Sequence, residues 1–415
     1  MLTKNILHLN FVGLLLILFV GCKKDNRTFE KITFENPYLF SSEIKNDIEN
    51  DTTPWKYQMS SQSFASKGDY QNALKHWDLA MGTSEKRYTE MQLDSIKKLY
   101  ISESSNVLDA VNYITESAKS NQVVIINEAH HNSSHRVFTK SLLKELFDIG
   151  YTNIGFETLG NGEYMDSLLM KRGYPTQETG YYTKDPQFGD LVRRALEIGF
   201  YIFPYEQTTD SDGKPREIEQ AKNIQKEIQK RPNEKFLIHC GFDHVYEGVH
   251  DRWEKAMAAR LKEYTGIDPL TIDQVKYSEK SLPELNHPII NILDIDEPSV
   301  IIDKNRKPLR NERSKRWTDL AVFHPRTKIV KGRPNWLFKN GNKPISLDIR
   351  DVDLSFPVMV LAYKKGEDIN NAIPIDIVEI ENRTDLTNLA LKSGIYEVVL
   401  EDKKNNARKF EISVE

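Results

Sequence analysis

The stretch Val123–Arg136 reads VVIINEAHHNSSHR. Its first four residues, Val123 to Ile126, have the length and type of a strand buried on both faces. They run straight into Asn127, Glu128, Ala129, His130 and His131. Asn132, Ser133 and Ser134 follow, residue types that cap a helix N-terminus. Phe138, Leu142, Leu143, Leu146 and Phe147 then recur at helical spacing. A carboxylate and two imidazoles therefore stand where a buried strand turns into a helix. In open α/β sheets ligands bind at that edge, beyond the carboxyl ends of the strands.

Outward from this stretch the pattern alternates strand and helix. Asn153–Phe156 leads to Glu157, Tyr201–Tyr205 to Glu206, and Phe236–Ile238 to His239. Val300–Ile302 leads to Asp303, and Leu320–Phe323 to His324. Helical stretches at Leu191–Ile198, Ile218–Ile228 and Trp253–Tyr264 lie between. The rhythm predicts an α/β fold, a mainly parallel sheet with helices on both faces. Parallel strands would gather Glu128, Glu157, Glu206, His239, Asp303 and His324 at one rim.

Glu128 and His130 are two apart in extended chain and project to the same side. A carboxylate beside an imidazole orients it and makes it a general base. Arg136, in the first turn of the next helix, is placed either to hold a substrate carboxylate or phosphate or to ion-pair with Glu157. Past Gly241, which lets the backbone bend or approach a ligand, stands His244; either it or His239 is expected at the site. His131 and His135 are weaker candidates. His130, Glu157, Glu206 and His239 are ligand types for zinc, manganese or iron, although the chain has no HExxH or paired CxxC spacing. Cys240 should face away from His239 as a buried core thiol. There is no GxSxG elbow for a serine hydrolase and no GxGxxG or GxxxxGK[ST] phosphate loop.

The flanks differ in texture. Lys4 followed by the ten-residue apolar run Phe11–Val20, ending in Gly21 and Cys22, resembles a bacterial lipoprotein signal over residues 1–22. Lipidation of Cys22, palmitate included, would anchor the chain to a membrane of the cell envelope, with the outer membrane the expected one; several acyl chains hold stably where one does not. Residues 23–55 read as a polar tether. Residues 56–115 are helical, and Phe64, Gly68, Tyr70, Ala73, Trp77 and Ala80 match the spacing of a tetratricopeptide repeat. No second copy follows, so this TPR-like segment is either a hairpin packed on the next domain or a binder of a partner protein. The α/β domain occupies 116–335. Residues 345–415 are β-rich with Gly-containing turns, a small antiparallel domain of sandwich type.

Length and composition fit this division. A chain of 415 residues holds two or three units. Its 39% hydrophobic residues supply a core and its 28% charged residues cover it. A net charge of −4 gives no reason to expect nucleic acid as a partner. With Cys22 acylated, Cys240 has no internal disulfide partner.

The core, residues 116–330, resembles the erythromycin esterase/ChaN-like superfamily, which includes erythromycin esterases, ChaN-like haem-binding lipoproteins and Tiki/TraB metalloprotease-like proteins. The resemblance rests on a first strand running into Glu128 with His130 or His131, on Arg136 in the next helix, on Glu157 after the second strand, and on His239 or His244 later. Asn127 stands where that group usually has Gly. The resemblance implies a hydrolase whose histidine activates water, with Glu128 and Glu157 positioning it and Arg136 binding or polarising a small-molecule substrate. Haem or iron binding, as in the ChaN-like lipoproteins, is the competing class, and a third reading treats the core as a degenerate scaffold whose helical and β segments bind a partner protein.

Overall fold

The computed structural model describes residues 28–85, 88–101, 106–303 and 305–415; the signal segment and Cys22 lie outside them. Six strands form one parallel sheet: β1 (Val123–Glu128), β2 (Tyr151–Phe156), β3 (Tyr201–Pro204), β4 (Lys235–Gly241), β5 (Leu270–Asp273) and β6 (Leu320–Ala321). Their order across the sheet is β6-β5-β1-β4-β2-β3. In β1, side chains alternate between two apolar layers, which is why its run is continuously apolar. Val124 and Ile126 pack against α1 (Ala110–Ala118), α2 (Ser134–Asp148) and α3 (Pro186–Ile198). Val123 and Ile125 pack against α4 (Lys214–Lys230) and α5 (Met257–Thr265). The expected α/β sheet with helices on both faces is what forms. The chain passes from β4 across β1 to β5, so the strand order reverses around β1, where open sheets carry their ligand crevice.

One expected rim strand belongs elsewhere. Ser299–Ile302 pairs antiparallel with Asn106–Asp109 in a separate two-stranded sheet, and Asp303 closes a local turn, accepting from the Asn305 and Lys307 N–H groups at 2.8 Å each. The sixth place in the parallel sheet goes to β5, directly beside β1. Half of β5 is polar, Thr271 and Asp273, so it offers no apolar run for sequence reading to detect, whereas Val300–Ile302 does.

Residues 28–55 are not a free tether in their described part. Glu30–Ile32 pairs with Ala407–Lys409. Phe34, Tyr38 and Phe40 are buried against Met359, Leu361 and Tyr363 of the C-terminal sheet. The polar composition concealed three aromatic anchors. Helices Lys56–Ser66 and Tyr70–Ala80 form the expected hairpin, turning at Gly68 with φ +80°. A Cβ there would lie 2.5 Å from the Ile377 carbonyl oxygen, so the position requires glycine twice over. The hairpin packs toward the α/β core, its Trp77 stacked on His131 at 4.2 Å.

The C-terminal segment is antiparallel β. Val358–Lys364, Asp376–Ile380, Gly394–Asp402 and Ala407–Val414 join Glu30–Ile32 in a five-stranded sheet. Lys343–Leu347 and Thr387–Leu391 form a second pair, and Leu347, Leu389 and Leu391 share one apolar cluster with Val358, Val398 and Leu400 of the larger sheet.

Candidate active site

The last inward residue of β1 is Glu128, and its carboxylate is 1% exposed. Arg136, from the first turn of α2, grips it with both donors: Nε to Oε2 at 2.7 Å and Nη2 to Oε1 at 2.7 Å. Nη2 also donates to the His130 carbonyl at 2.8 Å. Nη1 lies 2.8 Å from Asp185 Oδ2, a close ionic contact without hydrogen-bond alignment, and the guanidinium sits 4.9 Å over the Phe188 ring. Asp185 in turn caps α3, accepting from Gln187 N at 2.7 Å, and takes the Ser133 hydroxyl. Buried charges are tolerated only when paired this fully. Burial alone would raise the Glu128 carboxyl, but Arg136 outweighs it and holds the group well below the usual carboxylate range.

Glu128 is therefore ionised and can only accept. Its Oε1 lies 2.9 Å from His130 Nδ1, which must be the donor, so in the neutral imidazole the lone pair lies on Nε2. That ring edge faces Gly241 at the end of β4. A Cβ on Gly241 would lie 2.4 Å from His130 Nε2 and 3.4 Å from Glu157 Oε2. Gly241 is thus needed for the close approach of the imidazole. Tyr182 stacks on His130 at 3.7 Å and Phe242 meets it edge-on at 5.0 Å. The His130 side chain remains 15% exposed, so solvent reaches it.

A second charged group also meets Gly241. Glu157 follows β2, Glu206 follows β3, and Arg216 comes from the first turn of α4. Arg216 Nη2 donates to Glu157 Oε1 at 2.8 Å and also to Glu206, whose Oε1 accepts from Nε at 3.0 Å. His244 Nε2 is 3.4 Å from Glu157 Oε1, and its Nδ1 is 2.8 Å from Glu217 Oε1. Burial would raise Glu157, yet His244, Arg216 and His130 pull it down to about 2. Burial would lower His244, yet Glu157 and Glu217 raise it to about 9. This half is anionic at Glu157 and cationic at His244 and Arg216 at neutral pH.

Arg136 is the main correction to the expected site. It meets neither substrate nor Glu157: fully buried and held by Glu128 and Asp185, it has no face toward solvent. Arg216 takes the Glu157 pairing and is the guanidinium that reaches the surface. Sequence reading missed it, although a Pro-Arg pair opening α4 ten residues after Glu206 placed it within reach. Asp185 was also missed, despite the Asp-Pro signature of a helix start.

The remaining candidates separate by environment. His239 is buried beside Glu128, its Nε2 3.6 Å from Oε2 and without a hydrogen-bond partner, and burial lowers it to about 4. It is neutral at pH 7 and lies beneath the site. His135 accepts from the Ala129 N–H at 3.0 Å and holds the turn. His324 lies off the cluster, 3.1 Å from Gln274 Oε1. Cys240 packs in the apolar layer on the α4–α5 face. Asn127 ties the turn across three segments: its Nδ2 donates to Asp273 Oδ1 and to the Phe242 carbonyl at 2.8 Å each, and its Oδ1 accepts from Gln274 N at 2.7 Å. A glycine there would lose all three bonds.

The expected metal ligands do not fit a cation. Glu157 and Glu206 both bind Arg216, His130 Nδ1 is spent on Glu128, and His239 lies under the sheet rim. Among the described residues no group of three or more His, Cys, Asp or Glu side chains is arranged to hold a metal.

Fold and site together define an α/β protein with a His–Glu pair and an Arg-bridged carboxylate pair at the carboxyl rim of a parallel sheet. No protein-family model matches the chain and no curated protein matches it. Among solved structures it is similar to the type III effector HopBA1, at 14% identity over 45% of this chain and 96% of that one, TM-score 0.32. It is similar also to RRSP, a MARTX toxin effector domain from Vibrio vulnificus CMCP6, at 16% identity over 53% of this chain and 44% of that one, TM-score 0.29. A structure described as bacterial protein toxins matches at 14% identity over 58% of this chain and 47% of that one, TM-score 0.32. The chain spans about half the length of the latter two.

Proposed function

We propose that this chain is an exported lipoprotein, anchored to the cell envelope through Cys22, whose α/β domain hydrolyses a small ester or lactone with His130 as general base. The observation that carries the reading is the Glu128–His130 pair: a buried carboxylate bonded to Nδ1 at 2.9 Å, on an imidazole whose side chain is 15% exposed. In this mechanism Nε2 takes a proton from water as the oxygen attacks the substrate carbonyl. Glu128 stabilises the imidazolium that forms. The charge developing on the carbonyl oxygen is met by Arg216, the partly exposed guanidinium beside Glu157. Collapse of the tetrahedral intermediate returns the proton from Nε2 to the leaving alkoxide. No covalent enzyme intermediate is required. Glu157, held at about 2, stays ionised and fixes Arg216 and the Gly241 N–H rather than donating a proton. The helical hairpin, as a TPR-like element that meets a partner, and a sandwich-type C-terminal domain complete the proposal.

The test is hydrolysis of an ester and lactone panel by the purified full chain. His130→Ala and Glu128→Gln should each lower the rate by 10²-fold or more, the usual range for a general base. Rates unchanged in both variants would remove this mechanism. Lipid labelling that persists in Cys22→Ser would remove the anchor.

A further inference from the structure

A cavity of about 350 Å³ is lined by His131 to Ser134, Val137 and Phe138 but not by His130. It is a partly open cleft where three parts of the chain meet: the helical hairpin, the α/β rim and the segment leading to the C-terminal domain. Ligand sites favour such junctions. Its walls are largely apolar, among them Leu74, Val137, Phe138 and Trp336. Almost every hydroxyl that could greet a polar ligand is already donated within the protein. Ser133 donates to Asp185, Ser134 to Asn132 Oδ1, Ser141 to the Phe138 carbonyl, Ser278 to the Val275 carbonyl and Ser281 to Asp78. The carboxylates are engaged as well: Glu279 accepts from Thr327 N, Glu297 pairs with Lys339, and Asp109 caps α1.

Lys280 is the exception. It lines the cavity and is largely withdrawn from solvent, and among the described residues no carboxylate lies within ion-pair distance of its ammonium. Burial lowers its pKa, with Asp78 opposing. Beside it His131 is buried, neutral and stacked on Trp77, with Nδ1 unpartnered. A half-buried ammonium without an ion-pair partner in a largely apolar chamber can take an anion without displacing another carboxylate.

We propose that this cavity binds a small amphiphilic carboxylate, its apolar tail against Leu74, Val137, Phe138 and Trp336 and its head group on Lys280 and His131. A single unpaired ammonium with one adjacent imidazole matches one carboxylate better than a phosphate, since no arginine lines the chamber. The site is separate from the His130 cluster and stands whether or not the hydrolase reading holds.

Calorimetric titration of the purified full chain distinguishes the outcomes, with octanoate, octanol and acetate as probes. Octanoate should bind at least tenfold more tightly than octanol, and acetate should not bind measurably. Lys280→Met keeps the packed stem and should bring octanoate down to the affinity of octanol, leaving octanol unchanged, while Lys280→Arg should restore much of the difference. Leu74→Trp, which fills the chamber, should abolish binding of both. Unfolding midpoints within a few degrees of wild type confirm that each variant is folded. Equal affinity for octanoate and octanol, no binding of octanoate, or octanoate affinity unmoved by Lys280→Met would overturn the proposal.

Discussion

The molecule uses the same chemical arrangement twice, an arginine between two carboxylates, and seals one while opening the other. Arg136 sits between Glu128 and Asp185 with all three side chains at 0–1% exposure. Arg216 sits between Glu157 and Glu206 with its side chain 27% and Glu206 23% exposed. In the sealed group the charges have no alternative to one another, so it acts as a fixed frame that ionises Glu128 and sets the His130 tautomer. In the open group water competes for Arg216 and Glu206, while Glu157 is 5% exposed, so Arg216 can exchange part of its Glu206 contact for a substrate oxygen at modest cost. A buried ion network positions a base; an exposed one can receive charge during a reaction.

The largest expected effect lies in the sealed group. Arg136→Leu removes the only cation between Glu128 and Asp185 and leaves two buried carboxylates uncompensated. Denaturant unfolding should show a loss of about 3–5 kcal/mol, the usual cost of breaking a buried pair by removing one partner. A loss under about 1 kcal/mol would mean that the frame is not sealed in solution.

A smaller effect follows from pH. His244 titrates near 9 in the folded chain against 6.5 unfolded, raised by Glu157 and Glu217 against burial. A raised folded value contributes stability that is fully present below pH 6.5 and is lost as pH rises through 9. Glu157, lowered to about 2, contributes stability present above the unfolded value and lost as pH falls toward 2. The unfolding free energy should therefore decline on the alkaline side between about pH 6.5 and 9.5, by about 3 kcal/mol. His244→Gln should flatten that limb while leaving the limb above pH 9.5 unaltered. An alkaline limb identical in the variant would assign the titration elsewhere.

Much of this arrangement was legible in sequence because the strand ends are local signals. Each of β1, β2, β3 and β4 pairs an apolar run with a titratable residue at its exit, and parallel pairing does the rest. What was not legible depends on long-range partners. Which arginine meets Glu157 is decided by how α4 crosses the rim, and nothing within a few residues of Arg136 or Arg216 encodes it. The strand Leu270–Asp273 escaped because its polar half is satisfied by Asp319, Glu247 and Asn127 from elsewhere in the chain. Conversely, the apolar run Val300–Ile302 announced a strand correctly but not its sheet. The anchors Phe34, Tyr38 and Phe40 were hidden by polar neighbours, since a mean over a window dilutes three buried rings.

The smallest stability effect, and the sharpest division between the two groups, belongs to Arg216→Gln. Glu206 returns to water when its partner is lost, and Glu157 retains the protonated His244, so no carboxylate is left buried without a counter-charge. The unfolding free energy should change by under about 1 kcal/mol, as for exposed pairs. Ester turnover should nevertheless fall by about 10²-fold through kcat, the scale seen when one donor to a developing oxyanion is removed. The pairing of small stability loss with large rate loss is what distinguishes a receiving group from a frame. If Arg216→Gln destabilised the fold as severely as Arg136→Leu, the open group would be a second frame, and a kcat equal to wild type would leave the oxyanion without its assigned partner.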